Sequence, residues 1–307
     1  MATAFVTHPA CAKHDMGGHH PECPERLAAI DDQIIAAGIA PHLVHHEAPR
    51  ATVEQLERAH DREYIDAIFA VAPKNGIVHL DPDTAMNPAS LEAALRAAGA
   101  GVFATDLVMA GEADNAFCSI RPPGHHATRR RAMGFCIFNN IAVAALHALE
   151  HHGLERVAIV DWDVHHGNGT EDIFSGDTRV LMTGIFQHPF YPYSGTDDPA
   201  PNMKNVPLAA GSGGKQFREA FDHICLPALE AFRPQMIFIS AGFDAHVEDD
   251  MAMLRLVEAD YVWATQHLMA IAREHADGRI VSLLEGGYAL SALGRSVAQH
   301  LKVLDGI

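Results

Sequence analysis

The sequence predicts an α/β fold in which a mostly parallel sheet lies between layers of helices. Short apolar, β-rich runs alternate with longer segments whose apolar residues recur at helical spacing, as in successive β-α-β crossover units. Clusters of polar residues directly follow several of the β-rich runs, and open α/β sheets place their binding sites at those strand ends. We therefore expect a single site at one edge of the sheet.

The individual elements follow from the same periodicities. Strands are predicted at residues 4–7, 116–121, 156–163, 179–185, 235–242 and 279–284. Helices are predicted at residues 24–37, 90–109, 139–151, 216–232 and 258–274. Because no linker-like break, repeat or low-complexity tract divides the chain, we expect one domain over residues 1–307.

Composition and net charge favour a folded enzyme over a membrane-spanning or nucleic-acid-binding protein. Hydrophobic residues make up 48% of the chain and charged residues 20%, as in folded enzymes with a sizeable core. The apolar runs at 157–160 and 236–241 are too short to cross a bilayer, which needs roughly 20 residues. The net charge of −17 disfavours direct contact with nucleic acid and attracts basic, lysine-rich partners.

The termini and cysteines favour a reducing compartment. The first residues lack the basic and apolar segments of a secretory signal. The five cysteines are an odd number, are scattered and include no Cys-x-x-Cys pair, which argues against a disulfide framework or a thiolate metal site. We expect the protein to be cytoplasmic.

The strongest functional motif covers residues 161–169, Asp-Trp-Asp-Val-His-His-Gly-Asn-Gly, after a buried strand. Residues two apart in an extended segment share a face, so Asp163 and His165 can bind one ion with Asp161 behind them. A catalytic zinc needs a third ligand and an open position, and Asp244 is the best candidate. An isolated Asp-x-His is more often a solvated turn, but this many carboxylates and histidines at a buried strand end favour a cation.

A second motif, residues 121–127, places two prolines and a glycine before His125 and His126. The stiff turn can aim both imidazoles at a bound water for general acid–base chemistry. A His-His pair alone means little, because the chain has 22 histidines.

A third motif, Glu-Gly-Gly-Tyr at residues 285–288, follows the last predicted strand. Its glycines permit close backbone approach and present the hydroxyl of Tyr288 to a developing oxyanion. The alternative is a glycine-rich turn with a packed aromatic ring.

Together these segments resemble the zinc-dependent histone deacetylase family, and its class II and bacterial deacetylase-like branch, related to acetylpolyamine amidohydrolases, more than class I. The resemblance spans nearly the whole chain and adds His14, residues 20–22, Arg26, residues 134–136 and residues 139–140. It implies an arginase/deacetylase-like fold with a central parallel sheet of about eight strands, and hydrolysis of an acyl-amide at the end of a narrow tunnel.

The resemblance also implies roles for individual residues. Zinc would be held by Asp163, His165 and Asp244. The tandem catalytic histidines would be His125, oriented by Asp161, and His126, beside Asn168, with Tyr288 as the oxyanion donor. The substrate tunnel and its rim would be formed by Gly134, Phe135, Tyr191, Met251 and Asp83.

Two departures from the family pattern qualify these expectations. Relatives carry a serine that helps to bind a structural potassium ion near Asp161, and Gly184 takes its place here. The common Asp-Pro after the third zinc ligand is replaced by Asp249, Asp250 and Met251, in a loop at the tunnel mouth where we expect the two aspartates to add negative charge near the rim. In the polyamine-selective members an acidic residue stands at the position of Met251.

Several functions remain open from the sequence. The preferred hypothesis is an acyl-lysine deacylase of proteins or peptides, and the alternative is an amidohydrolase of acetylated polyamines or other small acylated amines. An inactive acyl-lysine-binding module is disfavoured because the full set of ligands, histidines and tyrosine is present. A two-manganese ureohydrolase lacks the necessary acidic clusters. An Asp-His-Asp set accepts zinc or ferrous iron.

Overall fold

The structure, a computed structural model, describes residues 2–307. Its strands are β1 (Thr3–Thr7), β2 (Val44–Glu47), β3 (Val78–His79), β4 (Ala85–Met86), β5 (Asn115–Cys118), β6 (Val157–Asp161), β7 (Val180–Gln187), β8 (Met203–Leu208), β9 (Met236–Ala241) and β10 (Ile280–Leu284). Strands β3 and β4 form a small antiparallel pair. The other eight form one sheet in the order β2-β1-β5-β10-β9-β6-β7-β8. Every neighbouring pair in that sheet is parallel.

The strands are connected mainly by helices. These are α1 (Glu25–Ala36), α2 (Val53–Glu57), α3 (Arg62–Val71), α4 (Ser90–Met109), α5 (Asn140–Glu150), α6 (Asn168–Phe174), α7 (Gly214–Ala220), α8 (Leu226–Phe232), α9 (Glu258–His275) and α10 (Leu290–Asp305). Helices α4 and α5 pack on each other and on the central strands, whereas α10 packs between α1 and α9. A parallel sheet covered by helices confirms the predicted α/β class.

The inner strands explain why the site lies at one edge of the sheet. Strands β6, β9 and β10 are buried along their whole length, because an inner parallel strand is covered by helices on both faces. Their apolar side chains fill the core, and the polar residues of the site lie at the carboxyl ends of these strands and in the loops that follow. The carboxyl ends of parallel strands all meet at the same edge.

Helix α4 is long and apolar because it is a core helix. By length and composition the segment Ser90–Ala110 could cross a membrane, but 72% of its most apolar window is buried inside the fold. A Cβ atom added at Gly101 would lie 3.0 Å from the Cβ of Ala144 on α5, so the two helices approach closely. Small residues allow that approach, which accounts for the alanine-rich sequence.

The sequence analysis missed four strands and misplaced some ends. Strands β3 and β4 have only two residues each, whereas β2 and β8 are the edges of the eight-stranded sheet. Strand β2 is largely exposed and β8 contains Pro207, so neither has a continuous apolar run. Helices α2, α3, α6 and α10 were also not predicted. Strand β5 ends at Cys118 and not at residue 121, because the chain leaves the sheet before the two prolines.

Candidate active site

The residues of the candidate site follow the carboxyl ends of four adjacent strands. Strands β5, β10, β9 and β6 are neighbours in the sheet, and their carboxyl ends are followed by the tandem histidines, the Glu-Gly-Gly-Tyr loop, Asp244 and the Asp-x-His motif respectively. Residues up to 161 positions apart in the sequence are in hydrogen-bond contact there, as between Gly124 and Glu285. The parallel topology therefore assembles all three sequence motifs into one buried cluster.

Asp163, His165 and Asp244 form a group whose potential ligand atoms lie within 4.8 Å of one another. The Nδ1 atom of His165 lies 3.0 Å from Asp163 Oδ1 and 3.3 Å from Asp244 Oδ2. All three side chains are buried. Two carboxylates and one imidazole converging in this way match the donors of a catalytic zinc site.

The backbone around the group leaves one carboxylate oxygen for a ligand. Asp244 Oδ1 accepts from the amide of Val164 at 2.9 Å, and Asp163 Oδ2 accepts from that of Gly286 at 2.8 Å. Asp244 Oδ2, by contrast, is buried and has no hydrogen-bond partner among residues 2–307. An unpaired buried carboxylate oxygen is costly, and a bound cation would satisfy it.

The electrostatics of the group also favour a cation. Burial, together with the charge of Asp163, raises the pKa of Asp244 to about 6. Burial opposes protonation of His165, but the nearby carboxylates of Asp163 and Asp244 outweigh burial and raise the pKa of His165 to about 9. Two buried carboxylates this close to each other repel, and a cation bound between them would remove that cost.

The tandem histidines have different partners. His125 Nδ1 donates to Asp161 Oδ2 at 2.9 Å, and His126 Nδ1 donates to Asn168 Oδ1 at 2.7 Å. The first pairing is with a carboxylate and the second with a neutral amide. Each bond fixes the tautomer of its ring, so that Nε2 of His126 is the nitrogen without a proton.

The different surroundings of His125 and His126 shift their pKa values in opposite directions. Burial disfavours the charged form of His125, but the charges of Asp161 and Asp163 outweigh it and raise the pKa of His125 well above its usual value. Burial, reinforced by the positive charges of His125 and His165, lowers the pKa of His126 well below its usual value. The pair is thus arranged as one cationic and one neutral imidazole.

The loop that carries Tyr288 is held by charged residues that the sequence did not assign to the site. Asp249 Oδ2 accepts from the amides of Tyr288 and Ala289 at 2.6 and 2.9 Å. Arg26 donates to the carbonyls of Glu285 and Gly287 at 2.5 and 2.6 Å. Burial raises the pKa of Tyr288 well above its usual value, so its hydroxyl stays protonated and can donate.

Glu285 ties this loop to the tandem histidines. Its Oε2 accepts from the amides of Gly124 and His125 at 2.7 and 3.1 Å, and its Oε1 accepts from the hydroxyl of Ser240. The carboxylate is fully buried, and burial raises its pKa to about 7. The Glu-Gly-Gly-Tyr motif alone indicated no separate role for Glu285, because only the fold brings the loops after β5 and β10 together.

A cavity of about 170 Å³ opens onto the metal-ligand group. It is lined by Asp83, His126, Gly134, Phe135, His165, Phe190, Tyr191, Met251 and Tyr288. The rings of Phe135 and Tyr288 meet edge to face at 5.9 Å, and Phe190 stacks on His165 at 5.5 Å. An apolar, aromatic passage with polar groups at its closed end suits an alkyl chain that ends in an amide.

Comparisons with known proteins agree with this geometry. Residues 20–304 match the model of the histone deacetylase domain. The chain belongs to the histone deacetylase family. It is therefore a hydrolase, and the family is zinc-dependent.

Named relatives extend over almost all of this deacetylase-family chain. A histone deacetylase-like amidohydrolase of Pseudomonas aeruginosa is 39% identical over 94% of this chain and 82% of its own length. A probable deacetylase of Archaeoglobus fulgidus is also 39% identical, with the same two coverages. The crystal structure of the HDA15 HD domain superimposes with a TM-score of 0.94 at 36% identity, covering 99% of this chain and 88% of that one.

The structure brings together the residues that the sequence singled out, but with one difference at the rim. Asp163, His165, Asp244, both histidines, Asp161 and Asn168 form one cluster, and the expected tunnel residues line one cavity. Asp249, which we expected among the acidic residues near the rim, is buried and binds the amides of the Tyr288 loop. A buried carboxylate needs such donors, so it cannot also be an exposed rim charge.

Asp83 lines the cavity and also accepts hydrogen bonds from neighbouring residues. Its Oδ1 accepts from the amide of Gly134 at 3.1 Å and from the hydroxyl of Thr84 at 2.9 Å. Gly134 has a φ of +56°, and a Cβ there would lie 2.3 Å from the ring of His126. Phe190 is a lining residue that the sequence missed, although its neighbour Tyr191 was predicted.

Potassium near Asp161 stays a prediction. Gly184 pairs with Asp161 in the register of β6 and β7, so the two residues are neighbours in the sheet. Glycine offers only backbone oxygen there.

Proposed function

We propose that this family member is a zinc-dependent deacylase that removes acetyl or a related acyl group from lysine side chains of proteins or peptides. The observation that carries the proposal is the narrow aromatic cavity lined by His126, Tyr288 and His165. His165 belongs to the metal-ligand group with Asp163 and Asp244. A lysine arm is an unbranched chain of methylenes, and an aromatic passage desolvates it at little cost.

The three-ligand group fits the metal that the family uses. The three potential ligand atoms converge, and the unpaired Oδ2 of Asp244 lacks the partner that a cation would provide. A bound zinc ion supplies Lewis-acid polarisation of the acyl carbonyl and lowers the pKa of a water molecule.

His126 is proposed as the group that moves protons. Its Nδ1 donates to Asn168 and its Nε2 is a free base at the cavity wall, so it can accept a proton from water and return it to the amine. His125, paired with Asp161, keeps its positive charge and stabilises negative charge that develops nearby. The Tyr288 hydroxyl donates a hydrogen bond to the oxyanion.

Substrate choice depends on the rim. A polyamine carries a distal ammonium, which needs a carboxylate near the entrance. Met251 lines the cavity at the position where an acid would serve that purpose, and a thioether offers flexible apolar contact. With Asp249 turned inward, acyl-lysine peptides are the better-matched substrate.

The test is a comparison of kcat/KM on acetyl-lysine peptides with kcat/KM on acetylputrescine and acetylspermidine. We expect wild type to prefer the peptides, and Met251→Glu to shift the ratio toward polyamines by about tenfold, or ~1.4 kcal/mol. Met251→Gln has a similar size and no charge, and should shift the ratio little. A wild-type preference for polyamines of about tenfold or more would instead identify an acetylpolyamine amidohydrolase.

A further inference from the structure

A second cluster of metal-ligating side chains lies where α5 ends. Asp106 on α4 and His147, His151 and His152 each offer one ligand atom, and these four atoms lie within 4.8 Å of one another. The cluster is partly open to solvent, since His147 is buried, Asp106 and His152 are half-buried and His151 is exposed. An ion can therefore reach it from outside.

The helical geometry at the end of α5 brings the histidines of the cluster together. His147 and His151 are four residues apart, so they share one face of the last turn of α5, and their rings stack at 4.6 Å. His152 follows the end of the helix, and its ring meets those of His147 and His151 edge to face at 5.2 and 5.0 Å. Two histidines at this spacing on one helical face are a frequent metal-binding pair.

Asp106 links the rings to the neighbouring helix. Its Oδ1 lies 2.7 Å from Nε2 of His147 and 2.7 Å from Nε2 of His152. The hydrogen bonds to these two rings offset burial and lower the pKa of Asp106. One oxygen therefore faces two imidazole nitrogens, and an ion placed between them would contact all three.

We propose that Asp106, His147, His151 and His152 bind a second divalent transition-metal ion of the zinc class. Imidazole and carboxylate are the donors that zinc, cobalt and nickel prefer, and three histidines with one aspartate complete a tetrahedral shell. Ligand atoms in such a shell are roughly 3.3 Å apart. The nitrogen and oxygen atoms now at 2.7 Å must separate by roughly half an ångström, which rotation of the half-buried Asp106 and His152 side chains allows.

Arg58 competes with the ion. Its Nη1 donates to Nδ1 of His147 at 2.6 Å, which fixes the proton of that ring on Nε2, the atom that must bind the metal. Metal binding requires Arg58 to withdraw and the proton to move to Nδ1. Glu54 and Glu150, at 3.9 and 3.6 Å, are available to pair with the released guanidinium.

The site is separate from the active site. The amino end of α5 supports the tandem-histidine turn, where Asn140 donates to the carbonyl of Pro122 at 3.1 Å. The 11 residues of α5 put roughly 16 Å between that end and the cluster.

With four protein ligands and no open position, the ion would be structural, clamping α4 to α5 and the start of the following loop. The negative end of the helix dipole adds to the attraction for a cation.

The test counts zinc per chain by elemental analysis after loading the full-length protein and removing loosely held metal. We expect two equivalents in wild type and one in the Asp106→Asn/His152→Gln variant, with deacylase activity and circular dichroism unchanged. Cobalt should give the absorption of a tetrahedral ion in wild type, with part of it lost in the variant. Arg58→Gln should bind the second ion about tenfold more tightly, because the competitor is gone.

A matched control removes a histidine from another surface cluster. Glu230, Glu274 and His275 form an exposed group of similar donors, and His275→Gln should keep both equivalents. One equivalent in wild type would overturn the proposal, as would two in the Asp106→Asn/His152→Gln variant. Since the readout is metal content, these results stand apart from the outcome of the deacylase assays.

Discussion

At the scale of single residues, Tyr288 has the most specific role. Its ring lies on the cavity wall beside Phe135, the Arg26 guanidinium lies 5.0 Å from its ring centre, and burial keeps its hydroxyl protonated. We expect Tyr288→Phe to lower kcat by roughly 10²–10³-fold, because one oxyanion donor is lost. Steady-state kinetics on an acetyl-lysine peptide and zinc analysis measure this.

Tyr261→Phe is the matched control for that change. Tyr261 is also buried, but it lies outside the cavity lining and its hydroxyl has no hydrogen-bond partner within the described chain. We expect near-normal kcat and metal content. An effect of Tyr288→Phe on KM alone would make Tyr288 a binding residue.

At the scale of elements, the turn after β10 depends on a glycine. A Cβ at Gly286 would lie 2.1 Å from Asp244 Oδ2 and 2.6 Å from Asp163 Oδ2. In Gly286→Ala the turn must move away from the ligands. The hydrogen bond from the amide of residue 286 to Asp163 is then lost. We expect metal affinity to fall by roughly 10–100-fold, the usual effect of losing support for a ligand.

Metal titration of the apo-protein checks this prediction. Gly18→Ala is the control, because a Cβ at Gly18 meets nothing within 4 Å. Equal affinity in Gly286→Ala and wild type would mean that the turn can relax without disturbing the ligands.

At the scale of the whole molecule, buried neutral histidines make stability depend on pH. Burial lowers the pKa of His60 to about 4, that of His14 to about 4 and that of His300 to about 3. His60 Nδ1 donates to the carbonyl of Thr128, and its Nε2 accepts from the amide of Asn139, so the folded ring has no place for a second proton.

The unfolded chain protonates these rings near pH 6.5, whereas the folded chain does so only at lower pH. Stability is therefore lost as pH falls from about 6.5 toward 4, by up to about 3 kcal/mol for His60 alone. Denaturant unfolding at several pH values should show His60→Gln to be less stable than wild type at pH 7, with a shallower decline. Titration of the active site is common to both proteins and cancels in the comparison. If the stabilities of wild type and His60→Gln fell in parallel with decreasing pH, His60 would not account for the pH dependence.

The sequence by itself determined the α/β class, the inner strands and the chemically distinctive residues. Buried parallel strands need continuous apolar runs, and the residues after those runs are read directly from the chain, as with Asp163 and His165. The resemblance to the deacetylase family added the tunnel residues, and the family itself is confirmed. The roles of individual residues remain predictions.

Only the tertiary structure decided how these residues are supported. The edge strands β2 and β8 have no apolar run, so their place in the sheet depends on pairing with a neighbour. Glu285, Asp249 and Arg26 act through backbone amides and carbonyls of distant loops, which leave no local pattern in the sequence. Asp249 shows the physical reason: whether a carboxylate is a rim charge or a buried support depends on which donors the fold places around it.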